Sequence, residues 1–216
     1  MKHKRNSTTV QIPADGVELP GILMIPGHAR GLVIFAHGTG SSRLSPRNQY
    51  VAGVLNDAGI ATLLFDLLTP EEDQTYENRF NIDLLTDRLA AATRWTMGFS
   101  QTKDLRLGYF GASTGAASAL RDAVQFPAEI RAVVSRGGRP DLAMDVLQNV
   151  EAPALLIVGG CDYEVIKLNQ KAYDQLHRAR ERELAIVDEA THLFEEPGTL
   201  EEAARLAKEW FLKFLR

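Results

Sequence analysis

Along the chain, short apolar runs alternate with longer stretches in which apolar positions recur every three or four residues. Five runs are partly β-branched or aromatic and bounded by Gly, Pro or Asp: 31–36 (GLVIFA), 61–66 (ATLLFD), 105–110 (LRLGYF), 130–135 (IRAVVS) and 154–158 (ALLIV). Near-continuous apolar runs of this length fit strands buried on both faces, as in a parallel sheet. Residues 183–187 (ELAIV) predict another, and 10–12 with 19–25 predict an antiparallel pair joined through Asp15-Gly16. Between the runs lie helical patterns. Ser45 and Pro46 open one that stops at Gly59, with Ser as cap and Pro at the first helical position. Residues 81–97 carry Ile82, Leu85, Leu89 and Ala92 on one face, and 200–215 carry Leu200, Ala203, Ala207, Trp210 and Phe214. Residues 114–125 and 165–177 predict two more helices.

Strands alternating with helices imply right-handed crossovers. The fold class is therefore α/β: a doubly wound, mostly parallel sheet of about eight strands with helices on both faces. Two stretches, 68–79 and 137–150, are polar and irregular. Neither is long enough for a second domain, so one domain is expected over 1–216, with 1–18 a partly flexible segment and little or no cap.

Composition narrows the class of partner. The 216 residues are 45% hydrophobic and 24% charged, with a net charge of −4. These are values of a soluble globular chain, and no strongly basic face points to nucleic acid. The basic start, Met1 to Arg5, runs into Asn6-Ser7-Thr8-Thr9 where a signal peptide needs an apolar stretch. No run approaches a membrane span. A single cysteine, Cys161, excludes an intrachain disulfide. We therefore expect a cytoplasmic monomer or small homo-oligomer without nucleic-acid or membrane partners.

The chemistry lies just after the strands, where ligands sit in open α/β sheets. Gly111-Ala112-Ser113-Thr114-Gly115 fits G-x-S-x-G between a strand and a helix. In that context Ser is a nucleophile on a sharp turn, and the glycines leave room for close packing. A Ser hydroxyl needs a base, and the base needs an orienting acid. Of the five histidines, His3, His28 and His177 lie away from strand carboxyl ends, and His37 reads as a packing side chain of its loop. His192 follows the 183–187 run and is the base. Asp162 follows the 154–158 run and is the acid, with Asp141 and Asp145 in reserve. The order Ser113, Asp162, His192 is that of α/β-hydrolases. His37-Gly38-Thr39-Gly40 follows the first parallel strand, so backbone N–H groups of Thr39 and Thr114 are the expected oxyanion donors. Pocket walls are expected from Leu68, Tyr76, Phe80 and Phe194, with Arg43 and Arg136 nearby. These arginines and Arg139 are expected to pair with Asp141, Glu195 or Glu196 and fix loops. No G-x-G-x-x-G follows the first strand and no G-x-x-x-x-G-K-[ST] occurs, which argues against nucleotide cofactors.

Together FAHGTGSSRLSPRN, LLFDLLTPEE, GYFGASTGAAS, VVSRGGRPDLA, LLIVGGCD and ATHLFEEPG resemble the α/β-hydrolase superfamily, in its dienelactone-hydrolase-like branch. The resemblance runs from about residue 19 to 215. It implies a small, nearly lidless hydrolase of esters or lactones, with no metal or other cofactor and a small-molecule ester as substrate. Dienelactone hydrolases proper carry Cys as nucleophile and a Glu near the oxyanion loop. Here the nucleophile position is Ser113 and the loop after His37 has no Glu, which favours an ordinary serine carboxylesterase of small or short-acyl esters. Two other readings compete: the same triad cleaving another bond (lactone, peptide or phosphotriester), and a non-catalytic binding protein of the same fold.

Overall fold

The computed structural model describes residues 7–216. One eight-stranded sheet runs through it in the order β1-β2-β4-β3-β5-β6-β7-β8. β1 (Ser7–Ala14) and β2 (Val17–Met24) form a hairpin. Its turn places Asp15 and Gly16 at φ 43° and 81°, the paired left-handed geometry that two-residue hairpins favour. β2 also pairs antiparallel with β4 (Ala61–Phe65). From β4 onward all neighbours are parallel: β3 (Gly31–Ala36), β5 (Arg106–Ala112), β6 (Ile130–Arg136), β7 (Ala154–Gly159) and β8 (Arg182–Val187).

Helices cover both faces because the parallel strands are apolar on both. In β3, Leu32 and Ile34 face one core while Val33 and Phe35 face the other. The first core is closed by α3 (Ile82–Gly98), α4 (Thr114–Gln125) and α5 (Tyr163–Gln175), the second by α1 (Pro46–Asp57) and α6 (Thr199–Phe214). Ser45 caps α1 through its side chain, with Pro at the first position as expected.

Within the segment expected to be partly flexible, β1 begins at Ser7 and buries Val10, Ile12 and Ala14; the basic start and His3 lie outside the described residues. Two readings of the sequence need correction. The irregular stretch 68–79 contains α2 (Pro70–Asp73) and a 3₁₀ turn, Tyr76–Phe80. α2 is fixed by a capping box, in which the Thr69 hydroxyl accepts from the Glu72 amide and the Glu72 carboxylate accepts from the Thr69 amide. The other irregular stretch holds 3₁₀ turns at Pro140–Ala143 and Leu147–Asn149.

Candidate active site

Ser113 ends β5 and begins α4 with φ 50° and ψ −121°. An L-residue with a side chain rarely adopts this backbone, which costs on the order of 1–3 kcal/mol and persists only where surroundings enforce it. Three hydrogen bonds enforce it: the Ser113 amide donates to the Arg136 carbonyl at 3.3 Å, and the Ser113 carbonyl accepts from the Arg139 and Ala116 amides at 3.0 and 3.1 Å. Packing adds to this. A side chain at Gly115 would begin 2.2 Å from the Ala36 carbonyl, and one at Gly38 would begin 2.9 Å from Ser113 Cβ. Both glycines let the β3 loop press against the elbow. A Ser at a helix start usually spends its hydroxyl on capping, but Ser113 makes no such bond. Its Oγ therefore stays available.

Asp162 caps the backbone turn between β7 and α5, where its amide donates to the Gly159 carbonyl at 3.0 Å. Its Oδ2 lies 2.6 Å from His192 Nδ1. The acid is 15% exposed and the ring 40% exposed, so a shielded carboxylate holds one side of a ring whose other side reaches solvent. The His192 ring lies over Gly137, with both Cε1 and Nδ1 3.6 Å from where a side chain there would begin. That is one residue beyond the carbonyl that takes the Ser113 amide. Among the described residues no hydrogen bond joins Ser113 Oγ to His192; such bonds are often long before substrate binds. The His192 loop is clamped by Glu196, whose carboxylate accepts from the Thr191 amide and hydroxyl at 3.0 and 2.6 Å. The hydroxyl bond leads the effects that hold Glu196 below the usual carboxylate range.

His37 stands at the same end of the sheet and is used up. Its Nδ1–H donates to the Gly38 carbonyl and its Nε2 accepts from the Leu67 amide, each at 3.0 Å. Burial lowers its pKa. It is a spacer between the β3 and β4 loops, as its sequence context suggests. Next to it, the Thr39 amide donates to Thr114 Oγ1 at 3.0 Å, and the Thr39 hydroxyl donates to the Arg79 carbonyl at 3.1 Å. The two expected oxyanion residues are thus adjacent, but the Thr39 amide is engaged by the Thr114 hydroxyl, a contact that strand-end reasoning missed. A cavity of about 10 Å³, roughly one water, lies between this loop and Leu68.

The expected pocket residues separate into two groups. Tyr76 and Phe80 are exposed, with ring centroids 5.2 Å apart, and Leu68 lies buried beneath the loop. Phe194 is buried, and its ring stacks on the Arg136 guanidinium at 5.7 Å. The arginine pairings also differ from expectation. Arg139 does pair with Asp141 at 2.8 Å, but Arg43 pairs with Asp66. Arg47, not singled out from sequence, takes Glu195 at 2.9 Å. Among the described residues Arg136 pairs with no carboxylate, and its Nε and Nη1 have no hydrogen-bond partner. The reserve acids are occupied: Asp141 by Arg139 and Asp145 by Arg121. Cys161 is exposed.

A concavity of about 340 Å³ opens at the opposite end of the sheet, lined by His28, Arg30, Ile60, Leu212 and Leu215 among others. It lies at the amino ends of β3 and β4, far from the elbow, and holds no nucleophile and base in contact. Among the described residues no helix is long and apolar enough to cross a membrane, and no group of three or more His, Cys, Asp or Glu could hold a metal ion.

Residues 19–216 match the family profile described as "Dienelactone hydrolase family". The chain belongs to the dienelactone hydrolase family. Among solved structures, a dienelactone hydrolase from Anabaena variabilis is 52% identical over 99% of this chain and 100% of its own, with a TM-score of 0.95. An esterase from Pyrococcus furiosus shares the fold at 21% identity, covering 98% of this chain and 92% of its own with a TM-score of 0.83. The sheet is thus an α/β-hydrolase fold and the chain a member of a hydrolase family. A protein from Mycobacterium tuberculosis, provisionally named a phosphoribosyl transferase, is 55% identical over 206 residues. That match takes 95% of this chain but 46% of the relative. The chain therefore spans about half the length of that relative.

Proposed function

We propose that this dienelactone hydrolase family member is a serine hydrolase of small or short-acyl carboxylic esters, acting through an acyl-enzyme. The observations that support the reading are a strained, uncapped Ser113 and a His192 whose ring lies over Gly137 and whose Nδ1 is held by Asp162. Ser113 Oγ attacks the ester carbonyl carbon as its proton passes to His192 Nε2. The Thr114 amide, at the start of α4, and the Thr39 amide, once the Thr114 hydroxyl turns away, receive the oxyanion. His192 returns the proton to the alcohol as the carbon–oxygen bond breaks. Water then repeats the sequence on the acyl-serine and releases the acid. Asp162 stays ionised, fixes the tautomer and stabilises the charged ring. Tyr76, Phe80 and Leu68 border the acyl or alcohol side. The test is turnover of activated aryl esters graded by acyl length, in wild type and Ser113→Ala. A preference for short acyl groups that vanishes in the variant is expected; equal turnover in both would refute the reading.

A second reading keeps the machinery and changes the substrate. The 52% identity to the Anabaena dienelactone hydrolase favours a lactone, whose ring opening needs the same attack but no departing alcohol. Matched lactone and ester rates decide between them. The transferase name of the mycobacterial relative belongs to a chain about twice as long. Absence of turnover on either class would favour a non-catalytic binding protein.

A further inference from the structure

Arg136 ends β6 and is only 7% exposed. Its guanidinium lies 6.0 Å from the Phe110 ring centroid and 5.7 Å from that of Phe194. Among the described residues its Nε and Nη1 are buried without a hydrogen-bond partner. Ring faces attract a cation weakly, whereas burying one without a counter-charge is among the most costly arrangements in a protein. Burial, and then the nearby charge of Arg47, lower the Arg136 pKa to about 10, so it remains cationic at neutral pH. A buried donor left unmatched in a native fold calls for a ligand, ion or water.

The surroundings say which. Phe194, which covers Arg136, adjoins Glu195, and Glu195 accepts from Arg47 Nη1 at 2.9 Å. Arg47 lies in the first turn of the twelve-residue α1, and that turn carries no acidic residue to offset the helix dipole. Two guanidinium groups and a helix amino terminus are thus gathered with one carboxylate among them. That carboxylate belongs to Glu195, which is 62% exposed. It sits on the outer side and leaves Arg136 without a counter-ion.

We propose that Arg136, Arg47 and the amino end of α1 form a binding site for a phosphate group, entered past Glu195. A doubly charged oxyanion meets both guanidinium groups and the Arg47 amide, since Pro46 has no N–H and the Asn48 and Gln49 amides donate to Ser45. The site lies behind the candidate catalytic loop rather than at Ser113, and it does not rest on the hydrolase reading. Phe194 is two residues from His192, so an occupied site would also brace that loop.

The test is thermal unfolding at constant ionic strength with inorganic phosphate, and with phenyl phosphate to represent a phosphate borne on a larger molecule. A rise of about 3–6 °C is expected once either probe exceeds its dissociation constant tenfold. The probe with the larger shift identifies a free ion or an organic phosphate as the natural source. Arg136→Met, which keeps the apolar stem, should abolish the shift while leaving the unliganded protein as stable or more so. Arg47→Gln should weaken the shift and serves if the first variant fails to fold. Glu195→Gln should enlarge it by removing the competing carboxylate. Ser113→Ala should leave it intact. No shift in wild type, an equal shift in Arg136→Met, or loss of the shift in Ser113→Ala would overturn the proposal. So would a Glu195→Gln protein that is less stable and blind to both probes, since Glu195 would then be the missing partner.

Discussion

Asp162 and Asp122 each lie 2.6 Å from a donor carried on an aromatic ring, His192 Nδ1 in one case and the Tyr109 hydroxyl in the other. Their surroundings differ completely. Asp162 sits just past the carboxyl end of β7, and its partner ring is 40% exposed, its second nitrogen without a hydrogen bond among the described residues. Asp122 lies on the inner face of α4, Tyr109 lies within β5, and both are fully buried, with Thr93 of α3 completing the cluster. Tyr109 has one polar atom, and it is spent on the bond. A carboxyl–ring bond is therefore a closed clasp when the ring has no second polar atom, as at Tyr109, and leaves a second nitrogen on the partly exposed ring at His192.

The comparison is broken most sharply at the proposed nucleophile and base. Ser113→Ala or His192→Ala should lower kcat for ester hydrolysis by about 10⁴–10⁶-fold with little change in unfolding midpoint. Steady-state rates and thermal melts check both. Asp162→Asn should cost about 10⁴-fold, because the amide favours the wrong His192 tautomer. Asp122→Asn should leave kcat within about twofold, since a residue in the other core touches no reacting group.

Asp122 should instead register in stability. Burial raises its pKa to about 7, against bonds from Tyr109 and Thr93 that lower it. The native state then holds a proton that the unfolded chain releases near pH 4. Stability should fall as pH rises from about 4 to 7, by up to about 4 kcal/mol, with the loss complete above pH 7. Denaturant titrations across that window should show the slope in wild type and its absence in Asp122→Asn. A slope of the opposite sign would mean that Asp122 is held as a carboxylate.

The smallest effect is expected at His37. His37→Phe keeps the ring but strips the acceptor from the Leu67 amide, which should cost about 1–3 kcal/mol. Loss of kcat should be far smaller than for His192→Ala. Comparable losses in both would move His37 into the chemistry.

These contrasts bear on what could be read from residues alone. The strands, their crossovers and the residues that follow them were legible because parallel strands are apolar on both faces and break at polar ends. That logic placed Ser113, Asp162 and His192 in neighbouring loops. The Thr69–Glu72 capping box was equally legible in principle, but the surrounding polar stretch masked it. Arg136 was not. Its position at a strand end is clear from sequence, whereas the Phe194 ring that covers it arrives from a loop 58 residues later. The Thr93–Tyr109–Asp122 cluster and the Thr39–Thr114 bond were hidden for the same reason: each depends on which faces of distant elements meet.

The central claim is that Ser113 is a nucleophile activated through His192. It is tested most directly by treating the protein with an organophosphonate ester and mapping the adduct by peptide mass spectrometry. The account predicts one phosphonyl group on Ser113, formed orders of magnitude more slowly in His192→Ala. An unmodified Ser113, a label on another residue, or equal labelling in the His192 variant would contradict it.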